Sequence, residues 1–473
     1  HFAGLMAKLI ADVGPAAGKT LSHVHIDSWE TFSQNWTPRM REEFRKRRGY
    51  DLLPYLPVFT GRVVDSLEVS ERFLWDLRKT IAELTNENYA GRMRELARQH
   101  GLRLSIEAYG NGLLDEMTYA AQADRPMAEF WIGGHVMETI RAMTSAAHIY
   151  GKPVCGAEAF TAIPKGDRWT MHPYAMKALG DFAFCEGINQ FVFHRYSHQP
   201  WLNCPPGMGM GPFGVHYERT QTWWEQSGPW HEYLARCSHL LRQGLFVADI
   251  CYLQTENAPN GLAYSPATAY QFDGCSPDVV MTRMEIKDGR LVLPDGMSYR
   301  LLVLPPSETM TPTLLGKIAQ LVEAGATVVG APPAKSPSLQ DYPQCDADLQ
   351  RLVQRLWGDA DGKNITEHRV GKGRVVWGQK PEEILAKMGV LPDFQCETLP
   401  GGDTVRYIHR AVDGTDAYFV ASASRQPIEA TCRFRVHGKQ PALWYPDTGR
   451  IEPVAVFESS DGNTRIPLRF EPC

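Results

Sequence analysis

Glu30, Glu107, Glu129 and Glu158 are the residues whose placement suggests acid and base chemistry, because each follows a short apolar run. The run from Leu21 to Ile26 reads as a buried strand and gives way abruptly to Asp27, Ser28, Trp29 and Glu30. Arg103 to Glu107, Pro126 to Glu129 and Pro153 to Glu158 repeat the pattern, and Ile188 to Phe193 leads into His194 and Arg195. In a (β/α)8 barrel, side chains just past the C-terminal ends of strands carry the chemistry, and a charge there is costly unless it has a partner or a task. Four carboxylates and one imidazole are therefore expected on one face.

Glycosidic bond hydrolysis calls for two carboxyl groups, one protonating the leaving oxygen and one activating water or attacking the sugar. Four glutamates supply that pair twice over. The surplus points to a hard cation such as Ca²⁺, which takes several oxygen ligands. The alternative is a salt-bridged rim in which Arg125, Arg195 and His194 neutralise the acids; four strand-end acids in one sheet order favour catalysis. Asp27 is an orienting group or a turn cap. Trp29, Trp36, Trp131 and Trp201 flank the acids and could stack on sugar faces. His194, Arg195 and His198 either hydrogen-bond sugar hydroxyls or pair with the acids. His23 and His25 share a strand face, as a metal pair or as barrel core.

Strand and helix alternate through the first half of the chain. Phe2, Leu5, Met6, Leu9, Ile10 and Val13 mark an amphipathic helix stopped by Gly14-Pro15. Thr37 and Pro38 open a helix over Met40 to Arg48, whose basic end complements the helix dipole. A long helix is expected from about Glu71 to His100, closed by Gly101. Helices over Val136 to Tyr150, Pro173 to Cys185 and Arg219 to Gln243 follow. Gly207, Gly209 and Gly211 superficially resemble a nucleotide-binding loop, but Pro205, Pro206 and Pro212 forbid the helix start such a loop needs. Five strand-and-helix units are counted where a closed barrel needs eight, so a barrel lacking its N-terminal strands is expected over residues 1–245.

From Val247 the pattern changes. Continuous apolar runs at Val247 to Leu253, Tyr299 to Pro305 and Ala326 to Gly330 predict a small parallel α/β domain, flavodoxin-like or amidotransferase-like, over residues 246–395. It has no nucleophile elbow and is assigned no catalysis. Alternating segments over residues 396–473 predict a β-sandwich-like module.

With 473 residues and 43% hydrophobic composition, the chain can build a large core in two or three domains. A net charge of −5 gives no basic face for nucleic acid. No run of 18 apolar residues is present to span a membrane. Twelve Trp and 18 Tyr suit flat, hydroxylated ligands. Ten Cys without a C-x-x-C pair fit buried free thiols better than a zinc ribbon or a disulfide scaffold. Asn364-Ile-Thr366 matches a glycosylation acceptor, a pattern usually accidental.

Several words are longer and more specific than any of these signals. His25 to Glu30, Asn35 to Thr37, Arg47 to Asp51, Ser105 to Glu107, Gly156 to Phe160, Phe193 to Tyr196 and Gln199 to Trp201 closely resemble the α-L-rhamnosidases of glycoside hydrolase family 106. The likeness is strong over roughly residues 1–260 and follows domain order beyond. It implies a Ca²⁺-dependent, inverting, exo-acting hydrolase of terminal α-L-rhamnose on a glycan or glycoside, with a periplasmic or extracellular bacterial location. Carried over by position, Glu30 resembles the general acid and Glu158 the general base, with Glu129 and Glu107 nearer the calcium. Two alternatives stay open: a retaining β-galactosidase-like barrel hydrolase, and a non-catalytic carbohydrate-binding fragment.

Overall fold

The computed structural model describes residues 2–32, 34–133, 138–162, 167–211, 213–262, 269–397 and 405–472. Its first sheet contains β1 (His23–Ile26), β2 (Arg103–Glu107), β3 (Arg125–Trp131), β4 (Gly156–Thr161) and β5 (Gln190–Phe193), side by side in chain order. All four pairings are parallel, with helices between the strands, so this sheet is half a barrel.

Side chains alternate across a strand, and the register decides which ones share a face. Val24, Ile26, Leu104, Ile106, Ala128, Phe130, Ala157 and Ala159 point to the helices and are buried. Complete burial of Leu104 and Ile106 stabilises the fold by about 2 kcal/mol each. The opposite parity carries His25, Ser105, Glu107, Glu129 and Glu158, leaving polar groups for the open side.

A second sheet has six strands in the spatial order Glu367–Val370, Gly373–Val376, Thr327–Val329, Leu301–Val303, Ile250–Leu253 and Phe272–Cys275. It is parallel apart from the hairpin at its first edge. Further on, Phe394–Glu397, Ile428–Phe434, Asn463–Phe470 and Glu458–Ser460 form an antiparallel sheet. Val405–Val412 pairs with Thr415–Ser422 on one side and with Leu245–Phe246 on the other. The position between residues 245 and 246 thus lies inside a strand.

Several elements differ from expectation. β3 and β4 continue past Glu129 and Glu158, because Phe130 pairs with Ala159 and Trp131 with Thr161 across a bulge. The expected helix from Glu71 begins at Leu67, since Ser66 caps it by accepting from the Val69 amide at 3.1 Å. It is then interrupted by a π turn, Asn86–Gly91, before Arg92–Gln99. The helix expected from Arg219 begins at Gly228, where Pro229 occupies the first turn that lacks acceptors anyway; Trp223 and Trp224 lie in the preceding turns. The expected start at Val136 lies outside the described residues, and the helix there is Glu138–Ile149. In Met6–Val13 the apolar stripe is split: Met6 and Ile10 pack against the core, whereas Leu9 is 44% and Val13 38% exposed.

One buried carboxylate joins distant parts of the chain. Asp76, on Leu67–Thr85, is inaccessible to solvent and accepts from Tyr50 Oη at 2.9 Å, Ser338 Oγ at 2.7 Å and the Leu339 amide at 2.9 Å. One turn earlier, Arg72 donates to Glu68, to the Ser338 carbonyl and to Asp346. Burial raises the Asp76 pKa and these donors oppose that rise. Asp76→Ala strands three donors, and buried donors without acceptors are costly. The substitution is expected to destabilise the chain by about 3 kcal/mol, read as a lower denaturant midpoint, with Asp76→Asn in between.

Candidate active site

The strand register assembles the site. His25 pairs with Ser105 and Glu107 with Met127, two residues before Glu129, which itself pairs with Glu158. Glu158 in turn pairs with Val192, two residues before His194. Period-two alternation then sets His25, Asp27, Ser105, Glu107, Glu129, Glu158 and His194 on one face.

His25 anchors one end. Its Nδ1 lies 2.8 Å from Ser105 Oγ, and its Nε2 lies 3.9 Å from Glu107 Oε1. One ligand atom each from His25, Asp27 and Glu107 falls within 4.8 Å of the others. Such a set of two carboxyls and an imidazole can hold a divalent cation. Glu107 is only 3% exposed, and its pKa is pushed up to about 10, first by burial and then by Asp27 and the charge of Glu158. The His25 imidazole is shifted down by burial, with Asp27 opposing.

Glu158 and Glu129 form the other end. Thr161 Oγ1 donates to Glu158 Oε1 at 2.5 Å, and His194 Nδ1 sits 3.8 Å from the same oxygen. Trp131 Nε1 donates to Glu129 Oε2 at 3.0 Å. The Glu129 pKa is raised to about 7 by burial, and the Trp131 bond lowers it while the charges of Glu158, Glu30 and Asp27 add to the rise. Four carboxyls from three chain segments are thus close enough to disturb one proton equilibrium. Burial lowers the His194 pKa against the pull of Glu158.

Glu30 lies four residues beyond the end of β1, in an exposed loop, and accepts from Ser28 Oγ at 3.0 Å. Asp27, also exposed, accepts from the Ser28 amide at 3.1 Å. Trp29 is tied into the scaffold: its amide donates to the Tyr109 carbonyl, its indole to the Phe32 carbonyl, and its ring meets the edge of Tyr89. Trp131 meets Phe213 edge-on at 5.8 Å between centroids. Arg195 is buried and donates to Ser197 Oγ and the Phe213 carbonyl. Trp36, His198 and Trp201 are exposed; His198 is bridged to Met208 through the backbone.

Ser105, Tyr109 and Thr161 were not singled out from sequence. Ser105 was legible in principle, two residues before Glu107 on the same face. Thr161 was not, because three residues from Glu158 is the wrong parity for a regular strand. The left-handed backbone of Phe160, at φ 62°, turns it round.

The chain matches the Glyco_hydro_106 family, described as alpha-L-rhamnosidase, over residues 1–459. A rhamnosidase from Novosphingobium sp. PP1Y superposes with a TM-score of 0.86 at 32% identity, over 97% of this chain and 45% of that one. A Formosa agariphila protein, named as a proposed beta-glucuronidase, is 37% identical over 99% of this chain and 39% of its own length. The chain therefore spans less than half of these relatives. A GH42 beta-galactosidase from G. stearothermophilus shares the fold at a TM-score of 0.54 and 11% identity, over 91% of this chain and 75% of that one.

The close approach of the loops after β1 and β2 depends on Gly110. At φ 136° it lies where a side chain is strained, and an added Cβ would sit 2.1 Å from the Trp29 carbonyl oxygen. Gly110→Ala is expected to cost about 1–3 kcal/mol and to separate the two loops. Thermal unfolding and a shift in tryptophan emission are the measurements.

Proposed function

The chain belongs to the Glyco_hydro_106 family of alpha-L-rhamnosidases, and from that premise we propose that it removes terminal α-L-rhamnose from glycans or glycosides by inversion. The observation that carries this reading is the carboxyl cluster in which Glu129 feels the charges of Glu158, Glu30 and Asp27. In the proposed reaction Glu30 gives its proton to the leaving oxygen, and its exposed loop leaves room for an aglycone. Glu158 takes a proton from the attacking water, held in orientation by Thr161 and flanked by His194. Trp131, pinned to Glu129, offers a flat surface for the sugar.

The donor set also suits a hard cation. A half-open cluster of oxygens with a buried carboxyl at its base gains from added positive charge. Asp27 and Glu107 are its proposed holders, with His25 and Glu129 beside them. Bound there, Ca²⁺ would supply a hard partner for sugar hydroxyls.

The beta-glucuronidase name of one relative raises a second substrate. A uronate brings a negative charge to a rim already crowded with carboxyls, and Arg195 is engaged with Ser197 and the Phe213 carbonyl. A neutral deoxyhexose meets no such repulsion.

An aryl α-L-rhamnoside and an aryl β-D-glucuronide, each assayed with and without chelator, decide between these readings. Turnover of the rhamnoside, lost on chelation and restored by Ca²⁺, is expected. Glu30→Gln is expected to lower that turnover by roughly 10²–10⁴-fold while leaving thermal unfolding unchanged. Full activity of this variant, or turnover of the glucuronide alone, would overturn the assignment. The anomer of the first product, read by NMR, tests inversion.

A further inference from the structure

The ten cysteines include one pair whose placement differs from the rest. Cys396 lies on Phe394–Glu397, the edge strand of its sheet, and Cys432 lies on the adjoining strand Ile428–Phe434. The antiparallel register pairs them directly, flanked by Gln395 with Arg433 and Glu397 with Thr431. Their sulfurs are 3.6 Å apart. Residues directly opposite in an antiparallel pair have Cα atoms about 4.5 or 5.5 Å apart, both inside the span a disulfide bridges.

Access also differs between the two. Cys396 is half-buried at the sheet edge, whereas Cys432 is wholly buried beside Phe394, Phe434 and Ile466. Cys251 and Cys275 also occupy neighbouring strands, but Cys251 pairs with Asp273 and Cys275 with Leu253. They are offset and both fully buried, so an oxidant in solution has no path to them.

We propose that Cys396 and Cys432 are an oxidation site, closed into a disulfide by a small-molecule disulfide and fastening the edge strand to the sheet. The Cys396 thiolate attacks one sulfur of the oxidant, forming a mixed disulfide and releasing one thiolate. Cys432 then attacks Cys396 Sγ, and its proton passes to the departing group, which leaves as the second thiol. Two cysteine thiols are oxidised and one disulfide is reduced to two thiols. Burial raises the pKa of both protein thiols, so the exchange quickens as pH rises. The bond closes a loop between residues 36 apart in sequence, which restricts the unfolded chain.

The test uses the full chain, incubated with oxidised glutathione, then denatured, alkylated and digested for peptide mapping. The expected result is a cross-linked peptide pair containing Cys396 and Cys432, short of two hydrogen atoms and released by dithiothreitol. The oxidised chain should also unfold at higher temperature than the reduced one, a shift that Cys396→Ser abolishes. Recovery of both residues as alkylated thiols would overturn the proposal. So would a glutathione adduct at Cys396 with Cys432 still open to alkylation.

Discussion

Like charges brought together on a parallel sheet are the constraint on which this molecule turns. Glu129 and Glu158 occupy paired positions on β3 and β4, and Asp27 and Glu107 crowd the neighbouring edge. Left in water these groups would all ionise and repel one another. Here the backbone ladder fixes their spacing, and burial, with the neighbouring charges added to it, raises the proton affinity of Glu107 and Glu129. A ladder of main-chain hydrogen bonds is rigid enough to hold such an arrangement, and the apolar faces of the same strands anchor it.

The rest of the fold can be understood as support for that ladder. The helix side of β1 to β4 is packed with Val, Ile, Leu, Phe and Ala. Trp29 carries the loop after β1 onto the loop after β2 through backbone bonds to Tyr109 and Asn111. That contact bears on Asp27 and Glu30, which lie on either side of Trp29. Asp76 and Arg72 then tie the long helix to residues 338–346, which lie between two strands of the second sheet along the chain.

Sequence patterning revealed much of this and failed where geometry is not periodic. The five strands of the first sheet follow from apolar runs, four that give way to acids and a fifth that leads into His194 and Arg195. The same alternation linked His23 to His25, and could have linked His25 to Asp27 and Ser105 to Glu107. Strand ends were misjudged because β3 and β4 go on pairing beyond their glutamates through a bulge. Thr161 was invisible because one left-handed residue, Phe160, reverses its direction. The start of the helix at Gly228 was hidden by aromatic residues that look periodic but lie in turns. Membership of a sugar-cleaving family rested on long words such as His25 to Glu30, not on composition.

The π turn at Asn86–Gly91 has its own consequence. Ile81, Met93 and Ala97 are buried, and Tyr89 between them reaches Trp29; these positions are separated by multiples of four residues. In an ordinary α-helix each step of four overshoots a full turn by about 40°, so three steps would swing Met93 roughly 120° away from the face used by Ile81. The wider turn absorbs that overshoot and keeps the stripe in phase. The helix is therefore tuned by residue count as well as residue type: deleting one residue there would rotate its C-terminal half while leaving its composition almost unchanged.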